Sequence, residues 1–325
     1  MTSIRTAKGN TAFKALWFRV RVAHLFDYTL TMSSEILTAL WQAATQQQFP
    51  THALYLVATP IGNLTDISVR ALVTLSKVDA IACEDTRHSK TLLNQYGIQK
   101  PLIAAHEHNE NEAAQHIIER LQRGERIALI TDAGTPAISD PGARVVAQVH
   151  AAGLRVVPIP GASAVVTALS AAGTEHGFSF VGFLPPKAAA RAQTLSQWQN
   201  RPEALVFYEA PHRLHDTIAA LAQAFSLRRL TIARELTKLY EDFVTIDLNA
   251  ASAWLAQAAE PRGEYVLVLH EAPANTTNNV ATWHETLVVL LKELPLKQAV
   301  ALTVTLTHAP KNEVYAHALS LKNQA

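Results

Sequence analysis

Carboxylates, cations and glycines gather in a few short, turn-rich segments of this chain. TPIGNLTD carries Asn63, CEDTRHSK carries Glu84, Asp85 and Arg87, and TDAGTPAISDPG carries Asp132, Thr135 and Asp140. YEAPHR adds Arg213, and ARELTKLYED adds Arg234 and Glu235. A turn needs glycine or proline, but it has no need of carboxylates or guanidinium groups. Side chains beyond that need suggest a ligand-binding crevice. Glycine loops let main chain approach a ligand closely, and nearby Asp or Ser side chains hydrogen-bond its polar ends, which suits a small cofactor with an amino acid end and a ribose. Glu84, Asp85, His106 and Glu107 are candidates to take a proton, and the CEDTR carboxylates are favoured because they directly end a strand. Asp85 has a rival role as a helix N-cap or as a partner for Arg87. Other chemistries lack their signatures. There is no G-x-G-x-x-G after the first strand, no G-x-x-x-x-G-K-[ST] and no G-x-S-x-G. His106 and His108 have no third ligand nearby, so no metal is expected.

These segments must be carried by regular elements. The apolar runs LYLVAT (54–59), VDAIAC (78–83), RIALIT (126–131) and RVVPIP (155–160) read as strands. NEAAQHIIERLQRG between them sets Ala114, Ile117, Ile118 and Leu121 on one helical face, with Gly124 closing the helix. Strands alternating with helices imply βαβ units and a mostly parallel sheet, and ligands bind such sheets beyond the carboxyl ends of the strands. A second series, FSFVGFL, EALVFYEA, RLTIARE and EYVLVLHE, follows GASAVVTALSAAG, which reads as a helix ending at Gly173. The expected division is an N-terminal extension over 1–52, in part disordered, α/β domains over 53–160 and 161–272 with a boundary near 158–163, and a tail over 273–325. In that tail APANTTNNVATW reads as a polar linker, and two helical patterns around THAPKN resemble a helix-turn-helix.

The chain has 325 residues, of which 49% are hydrophobic and 17% charged, enough for two folded domains and far from the composition of a disordered chain. A net charge of +1 leaves room only for a local basic patch, so any nucleic-acid contact is local. The single cysteine, Cys83, allows no intramolecular disulfide and suggests a reducing cytoplasm, and no apolar run is long enough to span a membrane. Met32 stands directly before SSEILTALWQ and is the expected natural start, which would make residues 1–31 non-native or disordered.

Taken together, LYLVATPIGNLTDIS, CEDTRHSKTLL, HEHNE, LITDAGTPAISDPG, PIPGASA, GFLPPK, FYEAPHR, RELTKLYED and RGEYVLVL resemble the ribosomal small-subunit RNA 2′-O-methyltransferases of the tetrapyrrole methylase superfamily. The resemblance runs from about Leu54 to Glu271, the C-terminal helical pair resembles that family's tail, and residues 1 to about 50 have no counterpart. It implies two α/β domains with S-adenosylmethionine in the cleft between them, a homodimer, and methyl transfer to the 2′-hydroxyl of a cytidine in 16S ribosomal RNA or the small ribosomal subunit. The implied cofactor residues are Pro60, Ile61, Gly62, Asp132, Ala133, Gly134, Ala137, Ile138, Ser163, Ala164, Tyr208 and Glu209. Catalysis is expected of Glu84, Asp85 and His106, with Arg87 beside them. RNA contacts are expected of Lys90, Lys187, Arg191, Arg213, Arg234 and Lys238, together with Arg87 and His88, although Arg213 and Arg234 each stand beside a Glu and suit structural pairs equally well. Tyr208, Tyr240 or Phe183 is suited to stack a splayed base. Superfamily members that methylate tetrapyrroles carry G-x-G-P-G-D in the first loop, whereas this chain reads Ala58-Thr59-Pro60-Ile61-Gly62-Asn63, which points away from a tetrapyrrole substrate. Two rival functions stay open at this stage: tetrapyrrole methylation, and a non-catalytic ribosome-assembly factor that binds RNA.

Overall fold

Five short runs form the strands β1 (Ala53–Val57), β2 (Ala80–Cys83), β3 (Leu102–Ala104), β4 (Arg126–Leu129) and β5 (Arg155–Ile159), ordered β3-β2-β4-β1-β5 and parallel at every pairing. The computed structural model in which they are seen describes residues 35–258, 260–273, 278–307 and 309–323, so Met32 and the segment before it lie outside the described residues. Parallel strands need crossover helices, which cover both faces of the sheet. Here α2 (Val69–Lys77), α3 (Thr86–Gln95), α4 (Glu110–Gln122) and α5 (Ala143–Ala151) do so. The two-residue period of the strands sends Tyr55, Val57, Ile81 and Cys83 into one core with Leu75 and Leu93. Leu54, Ala80, Ala82 and Leu129 enter the other with Ile117, Leu121, Val145 and Val149. The predicted face of α4 is buried at Ala114, Ile117 and Leu121, Ile118 packs at its margin, and Gly124 ends it at φ +97°. The half-exposed β3 is only three residues long, and its apolar LIA is too short to announce a strand.

Ahead of β1, residues 35–45 form a helix, α1, and the chain after it is tied to the first core. Lys77 Nζ donates to the Thr45 carbonyl at 2.5 Å and lies 4.4 Å from the Phe49 ring centroid, while Phe49 packs on the core itself. The described end of the expected extension is therefore ordered.

The second sheet departs from the expected parallel pattern. Its strands β6 (Phe178–Phe183), β7 (Ala204–Glu209), β8 (Arg229–Arg234), β9 (Asp242–Asp247) and β10 (Tyr265–Leu269) take the order β6-β7-β10-β8-β9, and only β6 and β7 pair in parallel. No helix joins β8 to β9, so β9 folds back antiparallel; it is half exposed at the sheet edge, which is why its sequence does not stand out as a strand. The helices α6 (Ala164–Ala172), α7 (Ala188–Trp198), α8 (Leu214–Ala224) and α9 (Ala251–Leu255) complete the α/β part, with Leu205, Phe207, Leu221, Ile232 and Leu267 at the centre of the second core. α6 ends at Gly173, as expected.

The C-terminal tail holds three helices where a pair was expected: α10 (Asn278–Glu293), α11 (Leu296–Thr307) and α12 (Lys311–Asn323). The supposed linker runs directly into α10, because Trp283 and Leu287 recur at helical spacing and close a separate core with Val300 and Val314. Two compact units emerge. One holds the chain up to Thr167 together with Glu235–Glu241, the other Ala168–Arg234 and Asp242 onward, so the division falls inside α6 and not near 158–163. Among the described residues no helix is long and apolar enough to cross a membrane.

Candidate active site

Because every strand of the first sheet runs the same way, the segments after β1, β2, β4 and β5 leave from one edge. They bring together Pro60, Ile61 and Gly62, then Glu84 to Arg87, then Asp132 to Gly142, then Ser163 and Ala164. Hydrogen bonds fasten these loops to each other. Thr59 and Gly134 exchange both main-chain bonds, at 2.9 and 3.1 Å, and Thr135 Oγ1 donates to the Ala162 carbonyl at 3.0 Å. The excursion Glu235–Glu241 packs here as well, at Gly62: a Cβ on that glycine would stand 2.6 Å from Lys238 Cγ and 2.9 Å from the Leu236 carbonyl oxygen. Several non-glycine residues of these loops adopt left-handed backbone, namely Ala137, Ser139, Glu235 and Thr237, a costly geometry that persists only where its surroundings enforce it.

The carboxylates of this edge differ sharply in their partners. Asp132 Oδ1 is buried and accepts no hydrogen bond from the described residues. Glu84 has its pKa raised by burial and then by the charges of Asp132 and Glu107. Asp140 is pushed up to about 6, again by burial first and then by Glu84 and Asp132. Asp85 behaves in the opposite way. Its Oδ1 accepts the main-chain N–H groups of Arg87 at 2.7 Å and His88 at 3.2 Å, capping α3, and those bonds hold it below the usual carboxylate range. Asp85 thus caps the helix, the rival role expected of it. His106 donates its main-chain N–H to Asn109 Oδ1 at 2.8 Å, and its buried Nδ1 has no partner. Its ring lies 6.1 Å from that of His108, and no group of three metal-ligating side chains occurs among the described residues.

Two of the expected cofactor residues, Tyr208 and Glu209, belong to the second unit. Tyr208 packs edge-on to Phe180 and Phe183, with centroids 5.0 and 5.5 Å away. Glu209 is buried and its carboxylate is committed: Oε2 accepts from Thr217 Oγ1 at 2.5 Å, Oε1 accepts from the Ala210 N–H at 2.8 Å, and Arg213 Nε lies 3.3 Å from Oε1, close enough for an ion pair but off the hydrogen-bond line. Both oxygens of that carboxylate already have a partner within the second unit.

The cations expected to meet RNA divide likewise. Arg87, His88, Lys90 and Lys187 are exposed. Arg191 is buried and donates to the Pro186 carbonyl, and Arg213 donates from Nη2 to the Leu184 carbonyl, so both guanidinium groups have partners within the fold. Arg234 donates to the Arg262 carbonyl at 2.9 Å, and Lys238 pairs with Glu235 at 2.9 Å. Tyr240 and Phe183 are exposed aromatics. Two carboxylates had no assigned role in the sequence. Asp140 stood only among the polar residues of the crevice, and Glu110 was passed over although it closes the HEHNE motif; its signal was a charged residue opening a helix whose apolar face begins one turn later.

What this edge can hold follows from Asp132. A buried acceptor without a donor fits a ligand that brings hydroxyl or ammonium hydrogens, as the ribose and amino acid ends of S-adenosylmethionine do.

Comparison with known proteins agrees with that chemistry. Residues 53–251 match the family Tetrapyrrole (Corrin/Porphyrin) Methylases, and residues 280–322 match the RsmI C-terminal HTH domain. The chain is 47% identical over 277 residues to Ribosomal RNA small subunit methyltransferase I of Pseudomonas aeruginosa, covering 84% of this chain and 98% of that protein. Its namesakes in Escherichia coli O157:H7 and Bacillus subtilis are 44% and 42% identical, covering 82% and 81% of this chain and 94% and 92% of theirs. Among solved structures, the methyltransferase CobJ and diphthine synthase each superpose with a TM-score of 0.51 at 16% identity. They cover 68% and 67% of this chain and 94% and 90% of their own, a likeness of fold alone.

Proposed function

Because this chain belongs to the tetrapyrrole methylase family, as one of its small-subunit ribosomal RNA methyltransferases, we propose that it uses S-adenosylmethionine to methylate the ribose 2′-hydroxyl of a cytidine in 16S ribosomal RNA. The observation that carries this reading is the 47% identity to a protein of that name over 98% of its length. The carboxylates at the edge of the first sheet support it.

The cofactor supplies a methyl group on a positively charged sulfur. Asp132 would hold a hydroxyl or ammonium group of such a donor by accepting its hydrogen, and the Gly134 main chain would let the donor approach the sheet. Glu84 would take the proton of the ribose hydroxyl as that oxygen is methylated. A carboxylate of raised proton affinity suits this step better than the hydrogen-bonded Asp85 does. Asp140 stands beside Glu84 electrostatically, so its ionisation near pH 6 tunes how readily Glu84 holds a proton. Most of the remaining rate comes from holding oxygen and carbon in line. Exposed Arg87, Lys90 and Lys187 meet the RNA backbone.

The same reading places the protein in the cytoplasm, as a homodimer acting on RNA or on the small subunit. The open edge strand β6, with exposed Phe178 and Phe183, supports self-association. Small subunits from cells lacking the gene, given donor labelled in its methyl group, should gain one label on a cytidine ribose. Label on a base, or on a porphyrin precursor and not on RNA, would refute the assignment. Light scattering that shows a monomer at working concentration would refute the dimer.

A further inference from the structure

Among the described residues of the first unit, Glu110 is the only buried acidic side chain, and the reaction just described makes no use of it. Its Oε1 accepts the N–H of Gly142 at 2.6 Å, and its Oε2 lies 3.8 Å from Arg144 Nε, on a side chain that is 67% exposed. Gly142 is the N-cap of α5 and brings no side chain to the first turn; Glu110, from α4, takes the N–H of Gly142 itself, the bond that a capping-box glutamate makes. Gly142 stands at φ +126°, and a Cβ there would come within 2.9 Å of Leu129 Cδ2. Between Asp132 and Gly142 the backbone is left-handed at Gly134, Ala137, Ser139 and Gly142. A loop so shaped needs restraint along its length. Gly134 is bonded to Thr59 and Thr135 to Ala162, but from Pro136 onward no hydrogen bond to another segment among the described residues holds the loop until Glu110 closes its end. Asn109, next to Glu110, fastens the preceding segment by accepting from the His106 N–H and donating to the Ala104 carbonyl.

We propose that Glu110 is a positioning residue for methyl transfer: by accepting the Gly142 N–H it clasps the far end of the Asp132–Gly142 loop and so aims Asp132, Ala137 and Asp140, without itself touching donor or RNA. This inference rests on the functional reading above, since it assigns the loop to the donor. The clasp depends on an oxygen acceptor at the right reach, not on charge.

Three variants of the full chain separate the clasp from a general stabilising role. Glu110→Ala removes the acceptor, Glu110→Asp keeps the charge but shortens the reach by one methylene, and Glu110→Gln keeps both oxygen and length. Calorimetric binding of S-adenosylmethionine should weaken about tenfold or more in the Ala and Asp variants and stay within about threefold of wild type in the Gln variant. Amide hydrogen exchange should quicken over 132–146 in the Ala and Asp variants while β1 stays protected. Should Glu110→Ala fail to fold, the contrast between Asp and Gln carries the test. Unchanged exchange over 132–146, equal weakening in the Gln and Asp variants, or exchange that quickens across the whole first unit in step with a lower melting temperature would each overturn the proposal. A wild-type chain that bound no donor would instead overturn the functional reading, and loop exchange would still decide whether the clasp exists.

Discussion

At the end of β7, Glu209 is enclosed by Arg213, Thr217 and its own neighbour's N–H, so each oxygen is used. At the ends of β2 and β4, Glu84, Asp132 and Asp140 crowd each other, and among the described residues none of them makes an ion pair. The loops after β4 and β7 look alike in sequence, with an acid, a proline and a nearby arginine, yet in one the carboxylates crowd each other and in the other the carboxylate is partnered. Completed pairs belong to architecture, whereas carboxylates kept apart from cations mark the place where a ligand must supply what is missing.

The contrast can be broken most forcefully at Glu209. Glu209→Ala strands a mostly buried guanidinium and should cost about 3 kcal/mol of stability in urea unfolding; an unchanged unfolding midpoint would erase the distinction between the two regions. Glu84→Gln should do the reverse, with methyl transfer falling about a hundredfold while the midpoint holds. Asp140→Asn sharpens the comparison through pH. The pKa of Asp140 is raised from 3.8 to about 6, so its contribution to stability is intact below about pH 4 and is lost as pH rises through about 6. The Asn variant should therefore match wild type in acid and exceed it by about 1 kcal/mol above about pH 7, a figure reduced for partial solvent exposure. Its activity profile should also lose an acid limb near pH 6. Asp85→Ala should have the smallest effect, a slight fall in melting temperature with methyl transfer intact, because only a cap is removed.

Much of this arrangement was legible before any coordinates. The buried strands of the first sheet were, since parallel strands covered on both faces read as unbroken apolar runs. The edge strand β9 and the three-residue β3 were not, as partial exposure dilutes the pattern. α10 was hidden because its polar first turn continues the composition of the linker before it. At the site, the clustering of Glu84, Asp132 and Asp140 followed from the rule that ligands bind beyond parallel strands. What residue types alone did not decide was which acids were already spent: Asp85 on a cap, Glu209 on Arg213 and Thr217, Glu110 on a distant glycine. Partnership depends on where a side chain ends, and that is a property of the folded chain.

The return of Glu235–Glu241 to the first unit sets the order in which that unit is finished during synthesis. Although its sheet is complete by β5, the segment that seats against Gly62 emerges from the ribosome only after β6, β7 and β8 have been made. A nascent chain halted at Thr167 would therefore carry a sheet whose loop edge still lacks the segment that packs on Gly62, and that edge is finished only once Glu241 has cleared the exit tunnel.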